Sequence, residues 1–101
     1  RKKNGYVQSE EMKLKISAIT CDEATIEHIA LHGVEPKEVE EACFSSTPYV
    51  LKAKYERYIA LGQTDNERYL TIIFVYLGQG KVKVITARAM SGTERKLYKR
   101  R

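Results

Sequence analysis

Hydrophobic alternation is strongest in the second half of the chain, where three strand-like runs follow one another. They are Arg57–Gln63, Arg68–Leu77 and Lys81–Arg88, joined by the turn-forming segments Thr64-Asp65-Asn66-Glu67 and Gly78-Gln79-Gly80. From Leu70 to Leu77 nearly every residue is apolar, with β-branched and aromatic side chains prominent, which predicts a strand buried on both faces. The run from Lys81 alternates at first like a strand with one wet face. Strict alternation puts Arg88 in phase with Val82, Val84 and Thr86, so apolar anchors lead to a terminal charge.

Upstream, Lys13–Ile19 alternates and predicts a first strand with Leu14, Ile16 and Ala18 on one face. Thr20-Cys21-Asp22-Glu23 fits a capping box, so a helix is expected there, with Ile26, Ile29 and Ala30 on its apolar side. Gly33 suits the end of that helix, and Pro36 suits the first turn of a second one whose apolar face is Val39, Ala42 and Cys43. Ser45-Ser46-Thr47-Pro48 ends it. Tyr49–Lys54 reads as a strand, and its two lysines place it at a sheet edge. Ser91-Gly92-Thr93-Glu94 is a second capping box and opens a C-terminal helix. The fold class expected is α+β: a mainly antiparallel sheet with a two-helix hairpin on one side and a C-terminal helix.

Composition narrows the class further. A chain of 101 residues, 43% hydrophobic and 31% charged, fits one globular domain. Residues 1–11 are polar and aperiodic and are expected to be a flexible leader or a vector-derived remnant, with Met12 a natural start and residues 12–101 the single domain. No run approaches the ~20 apolar residues of a membrane span, and no secretory h-region follows the basic N-terminus. Cys21 and Cys43 stand apart without a CxxC spacing and read as reduced thiols of a cytoplasmic protein. The net charge of +5 is unevenly spread. Asp22–Glu41 carries seven acids against one base, whereas Lys52–Arg101 carries twelve bases against four acids. That polarity points the second half at a polyanion; solvated sheet edges and a basic tail are the plainer alternative.

Several ordered segments together carry a resemblance. They are His28-Ile29-Ala30-Leu31-His32-Gly33-Val34, Glu38-Val39-Glu40-Glu41, Arg57-Tyr58-Ile59-Ala60-Leu61-Gly62-Gln63-Thr64 and Arg68-Tyr69-Leu70. Thr86-Ala87-Arg88-Ala89-Met90 follows, then Glu94-Arg95 and Tyr98. In order and spacing this set resembles the BrnT toxin family of type II toxin–antitoxin systems, over roughly Lys13 to Tyr98. The resemblance implies a RelE-like fold and a metal-independent endoribonuclease that inhibits translation. It further implies a cognate, DNA-binding antitoxin that covers the active surface. At Cys21-Asp22 the chain departs from the Trp-Asp found in many members. A homodimer and a toxin–antitoxin hetero-oligomer both remain open. A family member that has lost catalysis and serves as a protein- or nucleic-acid-binding module is the alternative function.

Metal-free RNA cleavage needs a base for the 2′-OH, a cation for the developing phosphorane and an acid for the leaving oxygen. An arginine fork fits the phosphate oxygens and stays charged. If the last three strands form a meander, Arg68 and Arg88 lie at one end of the sheet and Arg57 at the other. Arg88 is the first candidate for phosphate stabilisation and Arg68 the second. Arg95 and Tyr98, three residues apart on the last helix, offer a cation and a phenol to RNA, while Tyr98 reads equally as a core residue. His32 is a candidate acid or base, or simply a histidine at a helix C-terminus. Arg57, Tyr69, Arg95 and Lys96 complete the expected RNA contacts, Tyr69 by stacking. Glu94 resembles a base, but its capping position already gives it a structural task. His28 and His32 have an i, i+4 zinc spacing without a recognisable third ligand, so no metal and no cofactor are expected.

Overall fold

A computed structural model describes residues 6–11, 14–45 and 47–100, the first of these segments as backbone alone. The expected start at Met12 and the first strand's opening at Lys13 lie outside the described residues.

The described residues form ten elements: β1 (Tyr6–Glu11), β2 (Ala18–Thr20), α1 (Glu23–Ala30), α2 (Pro36–Glu40), a π-helical turn (Glu41–Ser45), β3 (Tyr49–Ala53), β4 (Arg57–Gln63), β5 (Tyr69–Gly78), β6 (Lys81–Ala89) and α3 (Gly92–Arg100). The strands form one sheet in the order β1-β3-β4-β5-β6-β2. All neighbours are antiparallel except β2, which runs parallel to β6 with Ala18 opposite Lys81 and Thr20 opposite Lys83. The α+β class and the β4-β5-β6 meander match the sequence expectation.

Alternation along the strands separates two cores. On one face Val50, Ala60, Leu70, Ile72, Phe74, Val82 and Val84 pack against Ile29, Val34, Val39, Ala42 and Cys43 of the helical segment. On the other, Leu51, Ile59, Leu61 and Met90 pack against Tyr98 and Leu97 of α3. The two sides are the α1–α2 face and the α3 face. Gly62 lets the π-helical turn press onto β4, because a Cβ there would collide with the backbone carbonyl of Ala42.

Several expectations are corrected. The strand expected over Lys13–Ile19 is β2, only three residues long (Ala18–Thr20), and Ala18 is exposed while Ile16 is buried ahead of it. The residue capping α1 is Asp22 rather than Thr20: its carboxylate accepts the Thr25 backbone N–H at 2.9 Å, while Thr20 still belongs to β2. Within α1, Ile29 is fully buried, but Ile26 and Ala30 face outward. Strand β3 is not at an edge, since Tyr6–Glu11 pairs with it from the segment expected to lie outside the domain. Burial on both faces of β5 holds only for its first half: Leu77 is 57% exposed. The second capping box is present, with Ser91 Oγ accepting from Glu94 N and Glu94 Oε1 accepting from Ser91 N.

Candidate functional site

Arg88 lies near the end of β6, directly opposite Thr71 on β5. Its phase differs from strict alternation. Val84 opposes Phe74 and Thr86 opposes Ile73, so Ile85 is an extra residue, a β-bulge. The bulge shifts the pleat by one. Val82 and Val84 stay in the core on the α1–α2 face with Ala87, and Arg88 turns to the α3 face beside Thr71.

There the capping box meets the sheet. Arg88 Nη1 donates to Glu94 Oε1 and Nη2 to Oε2, both at 2.8 Å, a bidentate fork. Nη1 also donates to the Ala89 carbonyl at 3.2 Å. Glu94 Oε1 accepts Thr71 Oγ1 at 2.7 Å and the Ser91 backbone N–H at 2.8 Å. The Glu94 side chain is 7% exposed and that of Arg88 37%, so the carboxylate is inside and part of the guanidinium reaches water. With three donors on one oxygen, Glu94 is a structural acceptor that aims Arg88. It is poorly placed to reach out for a 2′-OH proton.

Two residues back on the same side of β5, the half-buried Tyr69 forms a second feature. The Arg95 guanidinium lies 4.4 Å from its ring centroid, the Lys99 ammonium 5.3 Å away, and the Tyr98 ring meets it edge-on at 5.9 Å. Cations over an aromatic face are attracted by its quadrupole. Arg95, Lys96 and Lys99 are exposed, whereas Tyr98 is only 5% exposed and belongs to the core under α3. Of the two readings open for Tyr98, packing prevails.

Arg68 shares Arg88's end of the sheet but not its face. Its Nη1 donates to the Gly33 carbonyl at 2.7 Å and to both Glu38 oxygens at 3.0 Å. Glu38 Oε1 in turn accepts the Glu35 N–H that caps α2. Arg68 thus pins the α1–α2 connection to the start of β5: it lies at the expected end of the sheet, but on the face opposite Arg88. His32, next to Gly33, is exposed on that α1–α2 side, against His28 at a ring distance of 5.2 Å. Arg57 sits at the far end of the sheet as expected, opposite Val75, and its Nε is buried without a hydrogen-bond partner among the described residues.

Neither thiol is set up as a nucleophile. Burial pushes Cys43 up to about 12, and burial followed by the Asp22 charge raises Cys21. Asp22 is held below the usual carboxylate range, first by the Thr25 backbone N–H. Among the described residues no three His, Cys, Asp or Glu side chains converge, and no helix is long and apolar enough to cross a membrane.

Thr71 and the Glu94 fork escaped the sequence reading. A single threonine within the apolar Leu70–Leu77 run, followed in the chain by a capping glutamate, is the signal by which they could have been found.

The family model described as "Ribonuclease toxin, BrnT, of type II toxin-antitoxin system" matches residues 22–94, the span from the α1 cap to the α3 capping glutamate. Among solved structures, the ribonuclease toxin BrnT of Brucella abortus is similar at a TM-score of 0.60 and 26% identity, over 73% of this chain and 96% of that one. No match is found among curated proteins.

Proposed function

The chain belongs to the BrnT family of ribonuclease toxins of type II toxin–antitoxin systems, and on that premise we propose that it cleaves RNA without a metal ion and thereby inhibits translation. The observation that carries this reading is the Arg88 fork, fixed by a buried carboxylate and part-exposed beside a tyrosine–arginine platform. In-line attack of a ribose 2′-oxygen on phosphorus forms one P–O bond as the 5′-oxygen leaves, and negative charge accumulates on the non-bridging oxygens. A preorganised guanidinium beside those oxygens lowers the barrier without reorganising during the reaction. Arg88 takes that role, Glu94 is its positioning residue, and Tyr69 with Arg95 and Lys96 holds the neighbouring nucleotide by stacking and charge. Arg68 keeps the α1–α2 turn, and with it His32, in place on the opposite face. Tyr98 supports Tyr69 from beneath. A cognate DNA-binding antitoxin covers the α3 face in the cytoplasm and holds the toxin silent.

Purified protein incubated with RNA, with and without chelator, tests this. Cleavage is expected to survive chelation, and Arg88→Ala is expected to lower it by about 10²–10³-fold, the usual loss for one transition-state donor. Chelator-sensitive cleavage, or an undiminished Arg88→Ala variant of native circular dichroism, overturns the assignment. The pairing of Arg88 with Glu94 favours one second reading, because the carboxylate already takes up two guanidinium donors and offsets the charge that a transition state would draw on. In that reading the chain is a non-catalytic binding module, and RNA would stay intact while binding persisted.

A further inference from the structure

The Ile85 bulge has an effect on charge that strict alternation hides. On the near side of the bulge Lys81 and Lys83 point away from Val82 and Val84, hence to the α3 face; beyond it Thr86 and Arg88 take that same face. One side of β6 therefore carries Lys81, Lys83 and Arg88 in line. The lysines are about 7 Å apart, and Arg88 lies on the order of 15 Å further along.

Helix α3 leaves that strip uncovered. Leu51 on β3 and Leu61 on β4 are fully buried beneath it, whereas on β5 and β6 exposure rises through Val75 and Thr86 to Lys81 and Lys83. Across the sheet, Arg57 of β4 faces Val75, Val75 faces Lys83, and Lys83 faces Thr20 of β2. Two cations thus flank an apolar floor at the end away from Arg88. From Tyr69 to Ala89 there is no Asp or Glu at all. Asp22, at the start of α1, feels the Lys83 charge, and Glu94 holds Arg88 at the far end of the strip.

We infer that this open half of the α3 face is the track on which single-stranded RNA lies as it reaches Arg88, with Lys81, Lys83 and Arg57 gripping its phosphates away from the scissile bond. The inference rests on the proposed ribonuclease reading for its substrate. RNA is favoured over an acidic protein segment because the line of cations from Lys81 and Lys83 ends at the Arg88 fork, the group assigned to the scissile phosphate. Val75, between Arg57 and Lys83, and Thr86, between Lys83 and Arg88 along β6, form the floor that accepts sugars and bases.

The test uses the full chain and a non-cleavable 2′-O-methyl oligouridine of twelve nucleotides, so it reads the track whether or not the protein cleaves anything. Affinity is measured by fluorescence anisotropy from 50 to 300 mM salt. Lys81→Gln/Lys83→Gln is compared with Lys37→Glu, an equal change in net charge on the exposed helical side. The double variant is expected to bind about tenfold more weakly and to lower the log–log salt slope by about 1.4, roughly 0.7 for each lost phosphate contact on a single strand. Lys37→Glu is expected to stay within twofold of the parent. Equal losses in the two variants, or an unchanged salt slope in the double variant, overturn the track. Binding of the RNA no tighter than that of a poly-glutamate of matched charge also overturns it, in favour of an acidic protein segment.

Discussion

Glu94 closes the capping box of α3 and, with the same carboxylate, holds the β6 arginine and the β5 threonine. One side chain therefore joins a helix terminus to the sheet. Removing a buried member of an ion pair leaves its partners unsatisfied, a loss of ~3–5 kcal/mol when both are inside. Arg88 retains access to water, which softens that penalty. Glu94→Ala is expected to lower unfolding free energy by about 2–3 kcal/mol, read from the urea midpoint, and Glu94→Gln by less. A Glu94→Ala protein as stable as the parent would show that the network does not support the fold. The capping role was legible in Ser91-x-x-Glu94, because a capping box is complete within four residues. The grip on Arg88 was not, since it depends on which way a strand six residues upstream happens to face.

At the level of elements, the strands and turns of the meander were readable because their signals are short-range: apolar runs, turn residues and glycines. What escaped was pairing. Two lysines suggested an edge for β3, but β1 covers it. The parallel match of β2 to β6 has no local signature, as it depends on the chain crossing over through α1 and the rest of the domain. Two glycines offer a contrast in element contacts. A Cβ on Gly62 would meet the backbone of Ala42, which cannot rotate away, whereas a Cβ on Gly92 in the first turn of α3 meets nothing within 4 Å. Gly62→Ala is therefore expected to lower stability by about 1–3 kcal/mol through overpacking. Gly92→Ala is expected to raise it by about 0.4–1 kcal/mol by restricting the unfolded chain. Thermal melts of the two variants check both signs, and an equal or reversed order would contradict the packing described.

Across the whole molecule the sheet separates two environments, an acidic helical side with Asp22 to Glu41 and a basic side that carries α3 and β6. The larger core lies on the acidic side, and Cys43 inside it reports on the entire domain. Its thiol is pushed up to about 12 when folded, from an ordinary value of 9.0. The raised value means that burial of the neutral thiol adds stability fully below pH 9, and that this contribution fades as pH climbs from 9 toward 12. Accordingly, the stability advantage of the parent over Cys43→Ala is expected to shrink between pH 8 and pH 10 in urea titrations. A constant difference over that interval would mean that the thiol is not desolvated. An aromatic disulfide reagent at pH 8 is likewise expected to label Cys43 only as fast as the domain opens.

Local chemistry in the sequence by itself determined the α+β class, the meander, the α3 cap and the division of charge. Each of these follows from neighbours within a few residues or from composition. Only the tertiary structure decided that Arg88 and Arg68, expected together, stand on opposite faces, and that Lys81 and Lys83 share a face with Arg88. The reason is physical: a strand's side chains alternate with a period of two, so a single bulged residue reverses every assignment beyond it. Nothing local marks Ile85 as that residue. The pairing of Val84 with Phe74 and Thr86 with Ile73 is what sets it.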